Sequence, residues 1–386
     1  MNAQALGLGR LRVLFVPDWY PRLETAGTVS GTFVREHVLS AARYNEVAVL
    51  DFILRPALCP GLALDVEDDL SIPTYRARAG YWPHTLTGDF VKQLFLARAL
   101  RHVIRTWGRP DLLHLQDNLA FDVLRAARKM HIPCVVSQHC SVFTKRQLTP
   151  QWHRRFRYTF SKAARVLPAK YSASADYDHY DLKANITWLP NAFDPTLFYP
   201  PTTGFRKPRL LHVSGFAPEK RVFDTIRAFA QVVRARPEAR LHLVGEGAAR
   251  HALAELAGSL LPKGTCQFLG FLPKPAVAEE MRAACGFIFP SEHETFGCVL
   301  MEALACGCPV LTTNAGGIPA VADNTNAIIV PIGDIDAITA GMVRLIDGTH
   351  GLDTARIAEE TKMKFSRQAV GRKLQQIYQE ALCEPK

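Results

Sequence analysis

The residues best placed to do chemistry lie in one segment, Phe287-Ile-Phe-Pro-Ser-Glu-His-Glu294-Thr-Phe-Gly297-Cys-Val-Leu-Met-Glu302-Ala. An apolar strand ends at Pro290, a polar turn follows, and a helix is predicted to start near Gly297. The first amides of such a helix have no internal partner and sit at its positive end, so they can receive a phosphate. Glycine at 297 lets a ligand approach the backbone closely. Cys298 and Glu302 are four apart on one helix face, which puts the Glu302 carboxylate about one turn beyond the amides. A carboxylate there can accept both hydroxyls of a ribose. Glu294 precedes the helix, at the strand's carboxyl end, within reach of a sugar beyond the phosphates. Two carboxylates flanking a phosphate cradle suit a nucleotide-sugar. The bland alternative makes Glu294 a solvated loop residue and Glu302 a helix-surface charge.

To hold those groups the chain must supply strands feeding helices, and it does so twice. In the first half, strands are expected at 12–16, 46–52, 112–115, 134–138 and 166–169. Helices are expected at 33–43, 89–107, 118–131 and 152–164, with a last strand from Ile186. Pro200-Pro201-Thr-Thr-Gly204 is rich in turn formers and reads as the linker. A second series follows, with strands at 210–214, 241–244, 266–269, 287–290, 310–313 and 328–330 and helices between them. Alternation of this kind predicts an α/β class with two doubly wound parallel sheets facing across a cleft. Ligands of such sheets bind at the carboxyl ends of the strands.

Composition narrows the field. The chain has 386 residues, of which 48% are hydrophobic and 21% charged, a globular balance with length for two domains. The longest apolar stretch, Val47–Leu64, is broken by Asp51, Arg55 and prolines, so no membrane span is expected. Leu11–Val16 reads as a first strand and not a signal peptide. A cytoplasmic protein, peripheral on the inner face of the plasma membrane, fits these features. The nine cysteines (Cys59 and Cys140 among them) are scattered and odd in number, so neither a disulfide framework nor a zinc site is expected; Cys306-Gly-Cys308 is read as helix-end packing. Gly245-Glu-Gly247-Ala-Ala-Arg250 fails the dinucleotide fingerprint because arginine replaces its third small residue, and there is no phosphate-loop or His-Glu-x-x-His motif.

The net charge of +10 resides mostly in the first 200 residues. Between Asp122 and Asp176 there is no acidic side chain, but there are Arg125, Arg128, Lys129, Lys145, Arg146, Arg154, Arg155, Arg157, Lys162, Arg165 and Lys170. Trp152-His-Arg-Arg-Phe-Arg-Tyr158 adds aromatics to this run. Such a face suits a phosphorylated acceptor, an anionic membrane surface or a nucleic acid, and equally a solvated helix face.

The acid spacing within Pro290-Ser-x-x-Glu294-x-Phe-Gly297-x-x-x-x-Glu302-Ala resembles that of the large retaining family 4 of nucleotide-sugar glycosyltransferases, which have the GT-B fold. Other blocks are similar in order: Trp19-Tyr-Pro21, Ser30-Gly31-Thr-Phe-Val-Arg-Glu36, Pro110-Asp-Leu-Leu-His114, Ile132-Pro-Cys-Val-Val-Ser-Gln-His139, Leu189-Pro-Asn191-Ala-Phe-Asp194, Pro218-Glu-Lys220, Leu243-Val-Gly-Glu-Gly247, Phe268-Leu-Gly270, Gly316-Gly-Ile-Pro319 and Phe365-Ser-Arg-Gln-Ala-Val370.

The resemblance implies two Rossmann-like domains: an acceptor-side domain over 1–202, a nucleotide-sugar-binding domain over 203–364, and a terminal helix over 365–386 crossing back to the first. It implies that Glu302 binds the donor ribose, Glu294 contacts the transferred sugar, and the amides of Phe296, Gly297, Cys298 and Val299 hold the nucleotide-sugar. Lys220 would pair with the diphosphate, Gly31 would bring backbone close to it, and His139 would lie beside the transferred sugar. The catalytic set is thus Glu294, His139 and Lys220. Gly215 stands where the family often has an arginine of the diphosphate clamp, which makes Arg221 a substitute donor-binding residue. Gln138, Cys140 and Ala320 are further departures. The implied reaction moves a sugar, with retention, from a UDP- or GDP-linked donor to a glycan, lipid-linked or small-molecule hydroxyl, without metal or other cofactor, in cell-surface polysaccharide or glycoconjugate synthesis. The partners are the donor, that acceptor and an anionic membrane met through Arg125–Lys170, with no nucleic acid expected. The alternatives are a nucleotide-sugar epimerase or phosphorylase on the same fold, or a non-catalytic polyanion-binding protein.

Overall fold

A computed structural model of the chain describes residues 9–21, 31–57, 61–81, 86–127, 129–202 and 207–383. Ser30, Cys59, Arg128 and Gly204, named above, lie outside the described residues. The chain divides into two compact units, Met1–Asn191 with Arg367–Lys386 and Ala192–Ser366.

The first unit runs β1 (Arg12–Val16), α1 (Thr32–Ala42), β2 (Glu46–Pro56), β3 (Gly61–Asp69), β4 (Ile72–Tyr81), α2 (Leu86–Thr106), β5 (Leu112–Gln116), α3 (Leu119–Ala126), β6 (Cys134–Gln138), α4 (Pro150–Lys162), β7 (Arg165–Pro168) and α5 (Ala173–Asp178). Its strands lie in the order β3-β4-β2-β1-β5-β6-β7. All neighbours are parallel except β3 and β4. The central strands read as unbroken apolar runs because helices cover both faces, so alternate residues have no wet side to face. Val13, Leu14, Val16, Leu112 and Leu115 are all buried. The order reverses between β1 and β5, the place where a doubly wound sheet opens a crevice.

The second unit runs β8 (Lys207–Val213), α6 (Val222–Ala235), β9 (Arg240–Val244), α7 (Arg250–Leu260), β10 (Cys266–Gly270), α8 (Lys274–Ala283), β11 (Ala284–Phe289), α9 (Cys298–Ala305), β12 (Val310–Thr312), β13 (Ile328–Ile329), α10 (Ile335–Ile346) and α11 (Thr354–Phe365). The six strands are all parallel, in the order β10-β9-β8-β11-β12-β13, with the switch between β8 and β11. Asp334 and Asp353 cap α10 and α11 by accepting from the amides of Ala337 and Arg356. The last helix, α12 (Arg367–Cys383), belongs to the first unit. There it lies against α1, with the Arg367 guanidinium on the Glu36 carboxylate at 2.6 and 3.1 Å and the Tyr378 hydroxyl 2.6 Å from His114 Nδ1.

The structure departs from the sequence reading in five places. The β3–β4 hairpin was not expected: its two turn residues, Leu70 and Ser71, both take positive φ (54° and 66°), a conformation usually signalled by Asn-Gly. A buried ion pair, Arg76 to Asp51 at 3.0 Å, with Glu67 on the same guanidinium, ties the hairpin to β2. Helices α5 and α11 were likewise not anticipated. Ile186 forms only an isolated bridge to Val166, not a strand. The compact units divide at Asn191/Ala192, not at 202/203, because Phe193 bridges Ser366 and the Leu197 carbonyl accepts from Arg282, both in the second unit.

Candidate functional site

In the second unit the crevice between β8 and β11 is lined by three loops that hold one another. The turn after β11 is pinned from one side by the 3-10 turn Pro218–Lys220: the Glu292 amide and the Ser291 hydroxyl both donate to the Glu219 carbonyl, at 2.9 and 3.0 Å. From the other side Thr313 donates its hydroxyl to the Ser291 carbonyl, and the Gly317 amide donates to the Glu294 carbonyl at 2.8 Å. The paired glycines have a steric reason. A Cβ on Gly316 would collide with the Glu294 carbonyl oxygen, and one on Gly317 with that of Thr295.

This clamping brings Lys220 onto Glu294, with Nζ 2.5 Å from Oε1 and both side chains mostly shielded. The Lys220 ammonium also lies 5.5 Å from the centre of the Phe289 ring. Gly297 caps α9 at φ 90°, ψ 56°, a left-handed conformation that costs other residues strain. The first bonds inside α9 run from the Leu300 and Met301 amides to the Gly297 carbonyl, so the Cys298 and Val299 amides precede the ladder at the helix's positive end. Phe296 is buried edge-on against Phe365, which leaves its backbone as its only contribution to a ligand.

Glu302 is on the inner side of α9, 5% exposed, where Lys274 at the start of α8 reaches Oε1 at 3.1 Å. Lys274 was missed from sequence; a lysine between prolines in a helix-opening Pro-Lys-Pro carries no chemical signature. Arg221 does not join Lys220. Its own backbone is left-handed (φ 52°), and its guanidinium binds Asp224 and Glu292, each at 2.6 Å. The carboxylates of Glu292 and Asp224 hold its proton more tightly than usual. Below the site His212 is fully buried between the Ser214 and Thr225 hydroxyls, and burial, with Lys220 nearby, holds it down at about 3.

Gly31 and His139 belong to the first unit. Gly31 caps α1 at φ 76° and lies against the Trp19 carbonyl. His139 follows β6, its ring 4.6 Å from that of Phe33 and 5.6 Å from that of His37. Gln116 Nε2 is 3.3 Å from its Nδ1, and the Asp117 carboxylate accepts from its amide at 2.7 Å. Neither Gln116 nor Asp117 was singled out from sequence.

Three members of the basic stretch are answered from its own two ends. Asp122 takes Arg155 and Lys92; Asp176 takes Lys170 and Arg146. Phe156 and Phe160 enter a core with Phe143 and Tyr177, and Trp152 is half-buried against it. Arg125, Lys129, Arg154, Arg157 and Lys162 stay exposed. Among the described residues no group of three His, Cys, Asp or Glu is placed to hold a metal ion, and no helix is long and apolar enough to cross a membrane.

Two family models match this chain: glycosyl transferases group 1 over residues 201–364 and glycosyltransferase family 4 over residues 40–197. The chain is 31% identical over 180 residues to N-acetyl-alpha-D-glucosaminyl L-malate synthase of Bacillus anthracis, a match covering 46% of this chain and 46% of that relative, about half the length of each. Among solved structures it is similar to sucrose-phosphate synthase from Thermosynechococcus elongatus, with a TM-score of 0.70, 18% identity, and 96% and 99% of the two chains covered. It is also similar to Anabaena HepE in complex with UDP, with a TM-score of 0.73, 16% identity, and 95% and 99% covered.

Proposed function

Because the chain belongs to the group 1 and family 4 glycosyltransferases and has the GT-B fold, we propose that it transfers a sugar from a UDP- or GDP-linked donor to a hydroxyl of a glycan, lipid-linked or small-molecule acceptor. The observation that carries this reading is the contact of Lys220 with Glu294 beside the amino end of α9. The Lys220 ammonium and the α9 amides supply positive charge where a diphosphate gains negative charge on leaving. Glu302 takes the ribose hydroxyls, steadied by Lys274. Glu294, oriented by Lys220, faces the sugar.

In the reaction proposed, the bond from the anomeric carbon to the diphosphate oxygen breaks and one to the acceptor oxygen forms on the same face, so configuration is retained. The acceptor's proton leaves with the diphosphate oxygen. No metal is required in this scheme, because Lys220 and a helix end carry the charge. That HepE is complexed with UDP, and that the malate synthase relative handles an N-acetylglucosaminyl group, support a nucleotide-sugar donor.

The test is thermal denaturation of the whole protein with UDP, GDP and their sugars, since a ligand that binds only the native state raises its melting temperature. Stabilisation by one nucleotide family, together with transfer or slow hydrolysis of its sugar, is expected. No shift with any of them would overturn the reading.

We further propose that the protein meets an anionic membrane surface and acts there in glycoconjugate synthesis. Arg154, Arg157 and Lys162 are exposed on α4, and Phe90 and Leu94, 70% and 47% exposed, lie one turn apart on α2. Flotation with phosphatidylglycerol vesicles but not with phosphatidylcholine vesicles is expected, weakened by R154E/R157E. Equal flotation with both would refute it.

A further inference from the structure

A cavity of about 470 Å³ opens in the first unit, within the size range of small-molecule sites (roughly 300–1,000 Å³). It lies at the amino ends of the strands: Arg10 precedes β1, Glu46 and Val47 open β2, and Ile72 opens β4. The last turn of α1, the β3–β4 turn and Trp107, just past α2, complete its wall. Substrates of doubly wound sheets bind at the other end, beyond the carboxyl ends of the strands. A molecule held in this cavity is therefore no substrate of the transfer reaction.

The wall has two kinds of surface. Leu39, Leu70, Pro73 and Trp107 make its apolar part, with Trp107 half-buried against the core of the unit. Leu70 is 61% exposed and left-handed at φ 54°, and Ser71 follows at 66°. Leucine rarely takes this conformation, and strain of this kind gathers at ligand sites. The other part is cationic. The Arg10 and Arg43 side chains are exposed and make no hydrogen bond or ion pair with any described residue. Glu46, the one acid among the residues lining the cavity, is held by Arg12 at 2.9 Å. The Asp68 carboxylate beside the turn accepts from the Ser71 amide at 2.7 Å. Two uncommitted guanidiniums favour a carboxylate or phosphate, whose oxygens match their planar forks. An indole wall beside leucine and proline favours a flat, largely apolar ring next to that anion.

We propose that this cavity binds a small ring compound carrying a phosphate or carboxylate, as a ligand that is not consumed in sugar transfer. The anion meets Arg10 and Arg43, and the ring rests on Trp107 and Leu70. The site stands independently of the transferase reading, because the cavity shares no residue with the donor-binding and catalytic sets.

The experiment is fluorine NMR on the whole protein labelled with fluorotryptophan, with the Trp107 resonance assigned through Trp107→Phe. Phenyl phosphate and benzoate are titrated in parallel with phenol and inorganic phosphate, all with UDP in excess. Phenyl phosphate, benzoate or both should shift the Trp107 resonance saturably, at least tenfold more tightly than phenol or inorganic phosphate; which of the two binds identifies the anion. Arg10→Gln and Arg43→Gln should each weaken that binding about tenfold, as expected for loss of a hydrogen bond to a charged group. Leu70→Asn should weaken it while raising the melting temperature, because asparagine adopts the left-handed conformation more readily. Circular dichroism melts establish that each variant is folded. No saturable shift with either anion, phenol binding as tightly as the anions, unchanged affinity in both arginine variants, or a shift seen only when UDP is left out would overturn the proposal. Binding of phenyl phosphate or benzoate at Trp107 by a protein that ignores every nucleotide would count against the transferase reading and leave this site standing.

Discussion

At the scale of single residues, the second unit separates carboxylates that look alike in sequence. Glu292, Glu294 and Glu302 each meet a different cation: Arg221, Lys220 and Lys274. Only Glu302 of the three is buried, and Lys274 is one of the groups that answer its desolvation. Hydrogen bonds to a charged group contribute about 1.5–3 kcal/mol. Glu302→Ala is therefore expected to weaken nucleotide binding by about ten- to hundredfold in the titration that tests the function, while the protein stays folded. Unchanged affinity by calorimetry would remove Glu302 from the donor site. The Lys274 partner was invisible beforehand because pairing through space between the start of α8 and the middle of α9 leaves no trace in spacing along the chain.

At the scale of elements, the site depends on backbone touching backbone. Gly316 and Gly317 let one loop lie on the carbonyls of Glu294 and Thr295, and that contact holds the turn feeding α9. Gly317→Ala would force the turn away, at about 1–3 kcal/mol by the usual cost of overpacking. A lowered melting temperature and weakened nucleotide binding are both expected. Gly258→Ala is the control: a Cβ there meets open space within helix α7, where alanine favours the helix. Equal behaviour of the two variants would contradict the assigned role of the glycine pair. The motif Gly316-Gly-Ile-Pro319 was legible as a motif, but its purpose became visible only beside the turn it touches. The β3–β4 hairpin shows the opposite case. Its Leu-Ser turn adopts a conformation those residues do not advertise, so local sequence gave no warning of it.

At the scale of the whole molecule, buried titratable groups predict the response to acid. Burial holds His37 and His212 down at about 3, and His114 well below its ordinary 6.5. In the unfolded chain these rings take up protons below about 6.5, whereas in the folded chain they stay neutral. Their contribution to stability is thus fully present above 6.5 and is lost as pH falls toward 3. Asp18 works the other way: folded, it keeps its proton up to about 7, while the unfolded carboxyl loses it near 3.8. Its share of stability therefore falls as pH rises between those values. Three histidines outweigh one aspartate near pH 5, leaving a net uptake of about two protons on unfolding, or about 2.7 kcal/mol per pH unit. The melting temperature is expected to drop steadily from pH 6.5 to 4.5. A flat profile over that range would contradict the burial of these rings.

The sequence alone determined the class, most of the strand–helix alternation of both units and the placing of Glu294 before α9 and Glu302 within it, because apolar runs, turn residues and helix-start spacing are local properties of a chain. The tertiary structure decided which charges remain available. Arg221, read as a diphosphate ligand, is turned onto Asp224 and Glu292. Arg146, Arg155 and Lys170, in the run without acids, are answered by Asp122 and Asp176 at its two ends once the chain folds back on itself, while Arg125, Lys129, Arg154, Arg157 and Lys162 stay exposed. It also gathered Asp18, Gln116, Asp117 and His139 at one end of a sheet. Charge pairing depends on distance through space, and strand order, set by packing over the entire chain, fixes that distance.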